Sequence, residues 1–266
     1  MTDNHGGGQF AVPAESYDRM MGRYLPTLAP AFADAAGIAA GMRLLDVGCG
    51  PGGLTTELVR RTGPDNVAAI DPSPSFVRAC RERNPGVDVR QGVAEELPFA
   101  DGSFDAALAS LVVGFMTDPV AGCREMARVS KAGGTVASAF WDTARMPAVR
   151  SFWAAAATIY PSAGADLCRP GRGEGELAGY LRDAGLVDVR DGTLEASTDY
   201  ADFDDWWSGW TLGVGPIGAY FRTLDEQARD TIRAESLQLL GTPTAGFTLT
   251  AIAWFARATK PATDSA

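Results

Sequence analysis

The sequence predicts an α/β fold: a largely parallel sheet with helices on both faces. Three observations carry that prediction. Short apolar runs alternate with stretches of helical spacing through the first half of the chain, the pattern of repeated βαβ units. The fourth run, Phe104 to Val113, is mostly apolar, as expected of a strand buried on both faces. Each run closes on glycine, proline or aspartate, the residues that end a strand or open a helix.

In chain order, residues 1–12 read as a loose Gly-rich tail, and Tyr17 to Ala36 follows helical spacing, with breaks expected at Pro26 and Pro30. Met42 to Val47 is the first strand. It is followed by a glycine loop and a helix whose face is marked by Leu54, Leu58 and Val59, stopped at Gly63-Pro64. Val67 to Ile70 is the second strand, and Ser73-Pro74 caps a helix running to Asn84. Val87 to Gln91 is the third strand and Phe104 to Val113 the fourth. Asp118-Pro119 opens a helix, 131–134 is a turn, and Thr135 to Phe140 is the fifth strand. Further on, Pro147 to Tyr160 is helical and Pro161 to Gly175 is a Gly/Pro-rich loop. Glu176 to Ala184 is a helix, Leu186 to Val189 starts a sixth strand, and Phe247 to Phe255 is the last. The Tyr200 to Gly241 segment between those strands is helical, and an insertion of that size commonly covers a site.

Composition narrows the function. The chain has 266 residues, with 23 Lys+Arg against 33 Asp+Glu, a net charge of −10. That balance argues against nucleic acid or an anionic membrane as partner. No run is long and apolar enough to span a bilayer. The start, MTDNHGGGQF, has no basic or apolar signal region, so a cytoplasmic protein is expected. Cys49, Cys80, Cys123 and Cys168 lack zinc-ligand spacing, and no metal is expected. The single histidine, His5, lies in the leader, which leaves no ordered histidine base.

The strongest local signal is LLDVGCGPGG, residues 44–53, at a strand-to-helix turn. Glycines there let the backbone turn tightly and let a ligand approach the helix N-terminus. Gly48, Gly50 and Gly53 also satisfy the G-x-G-x-x-G pattern of dinucleotide sites, with Asp71 placed as a ribose partner. Asp46 separates the two ligands. A carboxylate two residues before the first glycine would face a pyrophosphate, and two unit charges about 4 Å apart repel by roughly 4 kcal/mol at an effective dielectric near 20. A cationic ligand such as S-adenosylmethionine (SAM) would be attracted instead.

The successive segments LLDVGCGPGGLT, AIDPS, VRQGVAEELPFADGSFDAALAS and REMARVSKAGGTVASAFW resemble, in order, the motifs of class I SAM-dependent methyltransferases. The likeness is to the group related to the ubiquinone/menaquinone-biosynthesis C-methyltransferases, and it covers roughly residues 40–142. It implies a Rossmann-like sheet with an antiparallel last strand, the seven-stranded methyltransferase fold, with helical lid elements. The expected organisation is a tail and lid helices over 1–38, a SAM-binding domain over 39–199 and 242–266, and a covering insertion over 200–241. The resemblance also implies a small-molecule acceptor, of the kind found in secondary metabolism, and a monomer or homodimer. Carried over by residue, Gly48, Cys49 and Gly50 meet the methionine part of SAM, with Asp46 and the Ser110 backbone near its amino group. Asp71 binds the ribose, Pro72 and Ser73 lie beside the adenine, and Ala94 and Glu95 meet its edge. Tyr17 and Arg23 match a helix that closes over SAM. One position departs: the group usually has Asp where this chain has Val93, a loss of about 1–3 kcal/mol if nothing replaces that hydrogen bond.

The fourth-strand exit, Ser110-Leu111-Val112-Val113, lacks the Asn/Asp-Pro-Pro-Tyr/Phe pattern of nucleic-acid amino methyltransferases. Methyl transfer from a sulfonium needs no acid, so placement of the nucleophile dominates. Tyr24, Phe115, Trp141 and Arg145 are candidates to meet the acceptor, and Tyr17, Tyr24, Asp142 and Arg145 are the nearest candidates to act in the chemistry. Phe203, Trp206, Trp207 and Trp210 share one helical face, either a core stripe or an aromatic lid over an apolar, aromatic or cationic acceptor. A protein that binds SAM without turnover, or a nicotinamide-dependent oxidoreductase, are the competing readings.

Overall fold

The structure, a computed structural model, describes residues 12–163 and 171–262. His5, Cys168 and the leader up to residue 11 lie outside the described residues. Seven strands form one sheet: β1 (Leu44–Val47), β2 (Val67–Asp71), β3 (Asp88–Gln91), β4 (Phe104–Ser110), β5 (Ser130–Trp141), β6 (Val187–Tyr200) and β7 (Phe247–Thr259). Their spatial order is β3-β2-β1-β4-β5-β7-β6. The first five pair in parallel, and β7 runs antiparallel to both β5 and β6. This is the predicted seven-stranded sheet with its antiparallel last strand.

Alternation along the central strands feeds two cores. Leu45, Val47, Ile70, Ala107 and Ala109 point to one face, where α5 (Pro119–Val129) and α7 (Glu176–Asp183) cover them with Met126 and Leu181. Leu44, Ala106 and Leu108 point to the other, against Phe32 of α2 (Leu25–Ala36) and Leu58 of α3 (Gly53–Thr62). Fully burying side chains of this size stabilises by about 1.5–3 kcal/mol each. A third cluster lies beyond the sheet, built by α6 (Pro147–Ile159), α8 (Phe203–Thr211), α9 (Gly215–Phe221) and α10 (Glu226–Leu239) around Phe152 and Trp206.

Some boundaries moved. The first helical stretch divides into α1 (Ala14–Met20), a 3₁₀ turn at Gly22–Tyr24 and α2. Pro26 sits in the first turn of α2, whereas Pro30 lies inside that helix without ending it. The buried face of Leu28, Ala29, Phe32, Ala33 and Ala36 holds the helix across the missing hydrogen bond. The fourth strand stops at Ser110 because Leu111 takes a left-handed φ of +63°. The fifth begins at Ser130, earlier than the expected turn allowed, with a register shift opposite Phe104 and Ala106. The sixth, expected to start at Leu186 to Val189, runs for 14 residues, Val187–Tyr200, paired with β7 along most of its length. The 200–241 segment is helical as predicted, comprising α8, α9 and α10.

Candidate active site

The carboxyl ends of β1, β2 and β4 meet where the strand order reverses between β1 and β4, the place where open α/β sheets bind ligands. The glycine loop turns there. Gly48 and Cys49 donate their N–H groups to the Ile70 carbonyl at 2.7 and 2.9 Å, which ties the loop to β2. Gly50 has φ +54° and open space where a Cβ would stand, so its backbone faces the cavity bare. Gly48 has φ +72°, and a Cβ on it would run into Val112 at 2.4 Å.

A cavity of about 400 Å³ opens over this loop. It is lined by Tyr17, Gly48, Gly50, Asp71, Pro72, Ser73, Val93, Ala94, Glu95 and Ser110, all expected from the sequence. It is also lined by Phe76, Leu111, Val112, Phe115, Met116, Thr117, Asp118 and Ala121. Asp71, at the end of β2, accepts from Gly50 N at 2.9 Å and Ser73 N at 2.8 Å, joining the loop to the start of α4 (Pro74–Arg83). Burial nonetheless pushes its carboxyl up to about 6. Glu95 accepts from the backbone N–H of Thr117 at 2.7 Å and fixes the segment that turns into α5. No Lys, Arg or His lines this cavity among the described residues.

Three expected cofactor residues do not line this cavity. Asp46 is fully buried under the loop: its Oδ2 accepts from Thr55 Oγ1 at 2.6 Å and its Oδ1 has no partner. Burial, with the charge of Asp71 adding to it, pushes the Asp46 carboxyl up to about 7, although the Thr55 hydrogen bond works the other way. Cys49 turns away from the cavity into a buried cluster with Val77 and Cys80 of α4. Arg23 reaches across to α8, pairing with Asp205 at 2.8 Å, donating to the Asp199 carbonyl and lying 3.9 Å over the Tyr200 ring. The guanidinium is thus engaged on β6 and α8 and does not line the cavity.

A second cavity, of about 90 Å³, adjoins the first. The two share Tyr17, Leu111 and Phe115 in their walls. Of the residues expected to meet an acceptor, Phe115, Trp141 and Trp210 line it. Met20, Met146, Val149, Trp153, Arg172 and Ile217 also line it. The remaining candidates pack elsewhere. Tyr24 is buried with its hydroxyl 3.4 Å from that of Tyr200, edge-on to Trp141. Asp142 accepts from the Ala144 and Arg145 backbone and from Arg145 Nε at 2.6 Å, and Arg145 lies over the Trp254 ring. Trp206 belongs to the helical core, and Trp207 packs against Phe152, Phe203 and Phe221. The aromatic stripe of α8 therefore divides: Phe203 and Trp206 build the core, Trp207 packs beside it, and Trp210 reaches a cavity.

Tyr17 stands in both cavities, and burial, with the Asp71 charge beside it, pushes its phenol well above the usual range. Leu111 was missed as a wall residue because its left-handed backbone leaves no mark in a run of apolar residues. Asp118 was visible only as a helix cap, a role it does fill by accepting from Ala121 N at 2.9 Å.

The fold and the loop define a nucleotide-site α/β protein, and comparison places it more narrowly. Residues 45–138 match the family described as the methyltransferase domain. This segment is a methyltransferase domain, and through it the chain is similar to demethylmenaquinone and other quinone methyltransferases, the likeness the sequence motifs imply. It is 31% identical over 170 residues to a demethylmenaquinone methyltransferase of Paenarthrobacter aurescens, covering 59% of this chain and 66% of that protein. It is 37% identical over 95 residues to 2-methyl-6-phytyl-1,4-hydroquinone methyltransferase 2 of Oryza sativa subsp. japonica, covering 35% of this chain and 27% of the relative. These matches thus span between 27% and 66% of the relatives' own lengths. In fold, the chain resembles phosphoethanolamine N-methyltransferase 2 of Haemonchus contortus, solved with S-adenosylhomocysteine, at a TM-score of 0.57 and 17% identity, covering 93% of this chain and 57% of that one.

The residues present fit SAM, the cofactor of this family. Asp46 Oδ1 and Ser110 Oγ are buried acceptors without partners, the groups an ammonium would satisfy. Gly50 leaves its cradle open, and the carboxylates of the first cavity favour a cation over a pyrophosphate.

Proposed function

We propose that the chain is a SAM-dependent methyltransferase that holds SAM in the first cavity and a small, apolar acceptor in the second. One observation carries this reading: two cavities of different chemistry share the walls Tyr17, Leu111 and Phe115, so their contents would meet there. SAM supplies a methyl group on a sulfonium, and its leaving group is a neutral thioether that needs no acid.

The chain's own residues bind, orient and exclude water. Asp71 would hold the ribose, with Pro72, Ser73 and Phe76 beside the adenine and Val93 and Ala94 at its edge. With Val93 in the place of a carboxylate, Glu95 and Asp118, which line the same cavity, would take over the adenine amino group. Asp46 would face the cationic end of the ligand from below. Tyr17, on a helix tied to α4 through the Asp18–Arg83 ion pair at 2.5 Å, closes the wall between the cavities. Helices α8 and α9 supply Trp210 and Ile217 to the acceptor side, which supports reading the 200–241 insertion as acceptor cover. Catalysis is then chiefly placement of the nucleophile in a dry throat.

Calorimetric titration of S-adenosylhomocysteine, SAM and NAD into the wild type and Asp71→Ala tests the reading. Binding of both adenosyl ligands, weakened in the variant and absent for NAD, is expected. Tight NAD binding, or no adenosyl binding, would remove the cofactor assignment.

A further inference from the structure

Among the described residues, Asp46 takes its one side-chain hydrogen bond from Thr55. Thr55 Oγ1 donates to Oδ2 at 2.6 Å, both residues are fully buried, and Oδ1 has no partner. This is not the bond a helical threonine usually makes. Thr56 and Thr62 of the same helix, α3, turn their hydroxyls back to the carbonyls four residues earlier, to Gly52 at 2.8 Å and Leu58 at 3.1 Å. Thr55 turns off the helix instead, to a carboxylate on β1. Its direction is set from the other side. Cys80 of α4 donates its thiol to Thr55 Oγ1 at 3.6 Å, and Asn84 donates to the Cys80 carbonyl at 3.2 Å. A hydroxyl has a single proton to give. With the Cys80 thiol donating into Oγ1, that proton goes to Asp46. Gly52 makes room for the arrangement: at φ +102°, a Cβ there would stand 3.0 Å from Cys80 Sγ and 2.6 Å from Asn84 Nδ2.

We infer that Thr55, with Cys80 behind it, is a positioning residue for the cofactor: it holds Asp46 by one oxygen and leaves the other to the ammonium group of the ligand. This rests on the first cavity being the SAM site, and it deepens that reading. Neither Thr55 nor Cys80 lines the cavity, so both act through Asp46. The bond governs charge as well as place. Burial pushes the Asp46 carboxyl up to about 7, and the Thr55 bond works against that push. Without the hydroxyl, Asp46 would keep its proton to higher pH and offer a neutral acid where the ligand brings a cation. The other titratable groups around Asp46 are Asp71 of β2, Cys49 of the loop, Cys80 of α4 and Tyr17 of α1, and none of these is a cation that could replace the missing donor.

The test titrates S-adenosylhomocysteine into the full chain by calorimetry from pH 6 to 9. Each variant is read as a ratio to wild type, which cancels the ligand's own titration. Thr55→Val keeps the shape of the side chain without its hydroxyl. It is expected to bind about tenfold weaker at pH 6 and to come within about twofold of wild type by pH 9, a profile moved upward by about one pH unit. Thr55→Ser, which keeps the hydroxyl, should restore the wild-type profile. Cys80→Ala leaves Thr55 in place and serves should Thr55→Val fail to fold. It should move the profile the same way by less, about two- to threefold at pH 6. A Thr55→Val loss that is equal at every pH would mark the hydroxyl as structural only. That result, wild-type affinity in Thr55→Val at pH 6, a Thr55→Ser as weak as Thr55→Val, or an unmoved profile in Cys80→Ala would overturn the inference. Wild type that binds S-adenosylhomocysteine at no pH removes the proposed function, whereas binding with a pH-independent ratio removes only this inference.

Discussion

The two cavities share three wall residues and are built from opposite materials. The first is made largely of backbone: the glycine loop, strand ends and the carboxylates that tie them together, with Asp71 bonded to both Gly50 and Ser73. The second is made of side chains from α1, α6, α8 and α9, with methionines and indoles that no local turn dictates. A site built from backbone geometry tolerates little change, because a Cβ at Gly48 already meets Val112. A site built from packed side chains can be re-cut residue by residue without touching the sheet. The first cavity therefore carries the family's mark, and the second carries what is particular to this chain.

The harshest way to probe that contrast is to close the first cavity and leave the second intact. Gly50→Val places a β-branched side chain in the open cradle at φ +54°, where L-residues are strained by roughly 1–2 kcal/mol. Loss of S-adenosylhomocysteine affinity by about a hundredfold or more is expected, with small apolar probes of the second cavity binding as before; unchanged cofactor affinity would mean the ligand does not lie over the loop. Next in size is pH. Burial holds Asp46 near 7 and Asp71 near 6, and a bound ammonium favours their ionised forms. Affinity should therefore fall as pH drops below about 7, by up to tenfold per unit for each group that must lose its proton. The effect on stability has the opposite sense. The folded-state value of Asp46 lies above the unfolded one, so its ionisation opposes folding, increasingly from about pH 4 to 7. Asp46→Asn should raise Tm at pH 8, leave it little changed at pH 4, and flatten the pH dependence of binding. A lower Tm at pH 8 would show that the Thr55 bond outweighs the burial of the charge.

The same contrast explains what could be read without a structure. The loop, Asp71, and the Val93–Glu95 segment were legible because each lines the first cavity from where it stands in the chain. Arg23 matched a cofactor-closing helix by position, but its partner Asp205 lies 182 residues on, and no local pattern announces that pairing. Trp207 and Trp210 share a helical face, yet only the packing of α9 and α6 decides that Trp210 reaches a cavity. The length of β6 was hidden because its outer half is polar and exposed at the sheet edge, which gives neither a continuous apolar run nor a clean alternation. Leu111 was hidden for a different reason: a left-handed φ is announced by glycine or asparagine, and here leucine adopts it.

Leu111 also offers a finer test of the shared wall. Its left-handed backbone persists in a buried residue whose N–H donates to Ala139 at 2.8 Å. Strain of this kind gathers at functional sites. Leu111→Ala removes the side chain and keeps the strain, whereas Leu111→Gly removes both. Gly is therefore expected to be the more stable of the two by about 1 kcal/mol in urea denaturation, the reverse of the usual order. Both variants should bind S-adenosylhomocysteine and lose discrimination among acceptor probes. If Gly proves less stable than Ala, the backbone at 111 is not strained.

The smallest effect concerns the link between the halves. Arg23 and Asp205 are partly exposed, at 18% and 29%, and a single pair of this kind contributes about 0.2–1 kcal/mol. Arg23 also stacks on Tyr200 and holds the Asp199 carbonyl, so Arg23→Ala should cost slightly more than Asp205→Ala. Yet the pair joins the turn after α1, which carries Tyr17 over both cavities, to α8, which carries Trp210 into one. Loosening it should shift the release of the cofactor more than the stability of the fold. S-adenosylhomocysteine dissociation, followed by stopped flow, is expected to quicken by about two- to fivefold in either single variant. The charge-reversed double variant Arg23→Asp/Asp205→Arg should recover part of that loss, and 1 M salt should bring the wild type toward the single variants. Dissociation that ignores all three changes would mean that α1 is held by its apolar contacts with α8 and by the Asp18–Arg83 pair, and that the acceptor half exerts no grip on the cofactor half.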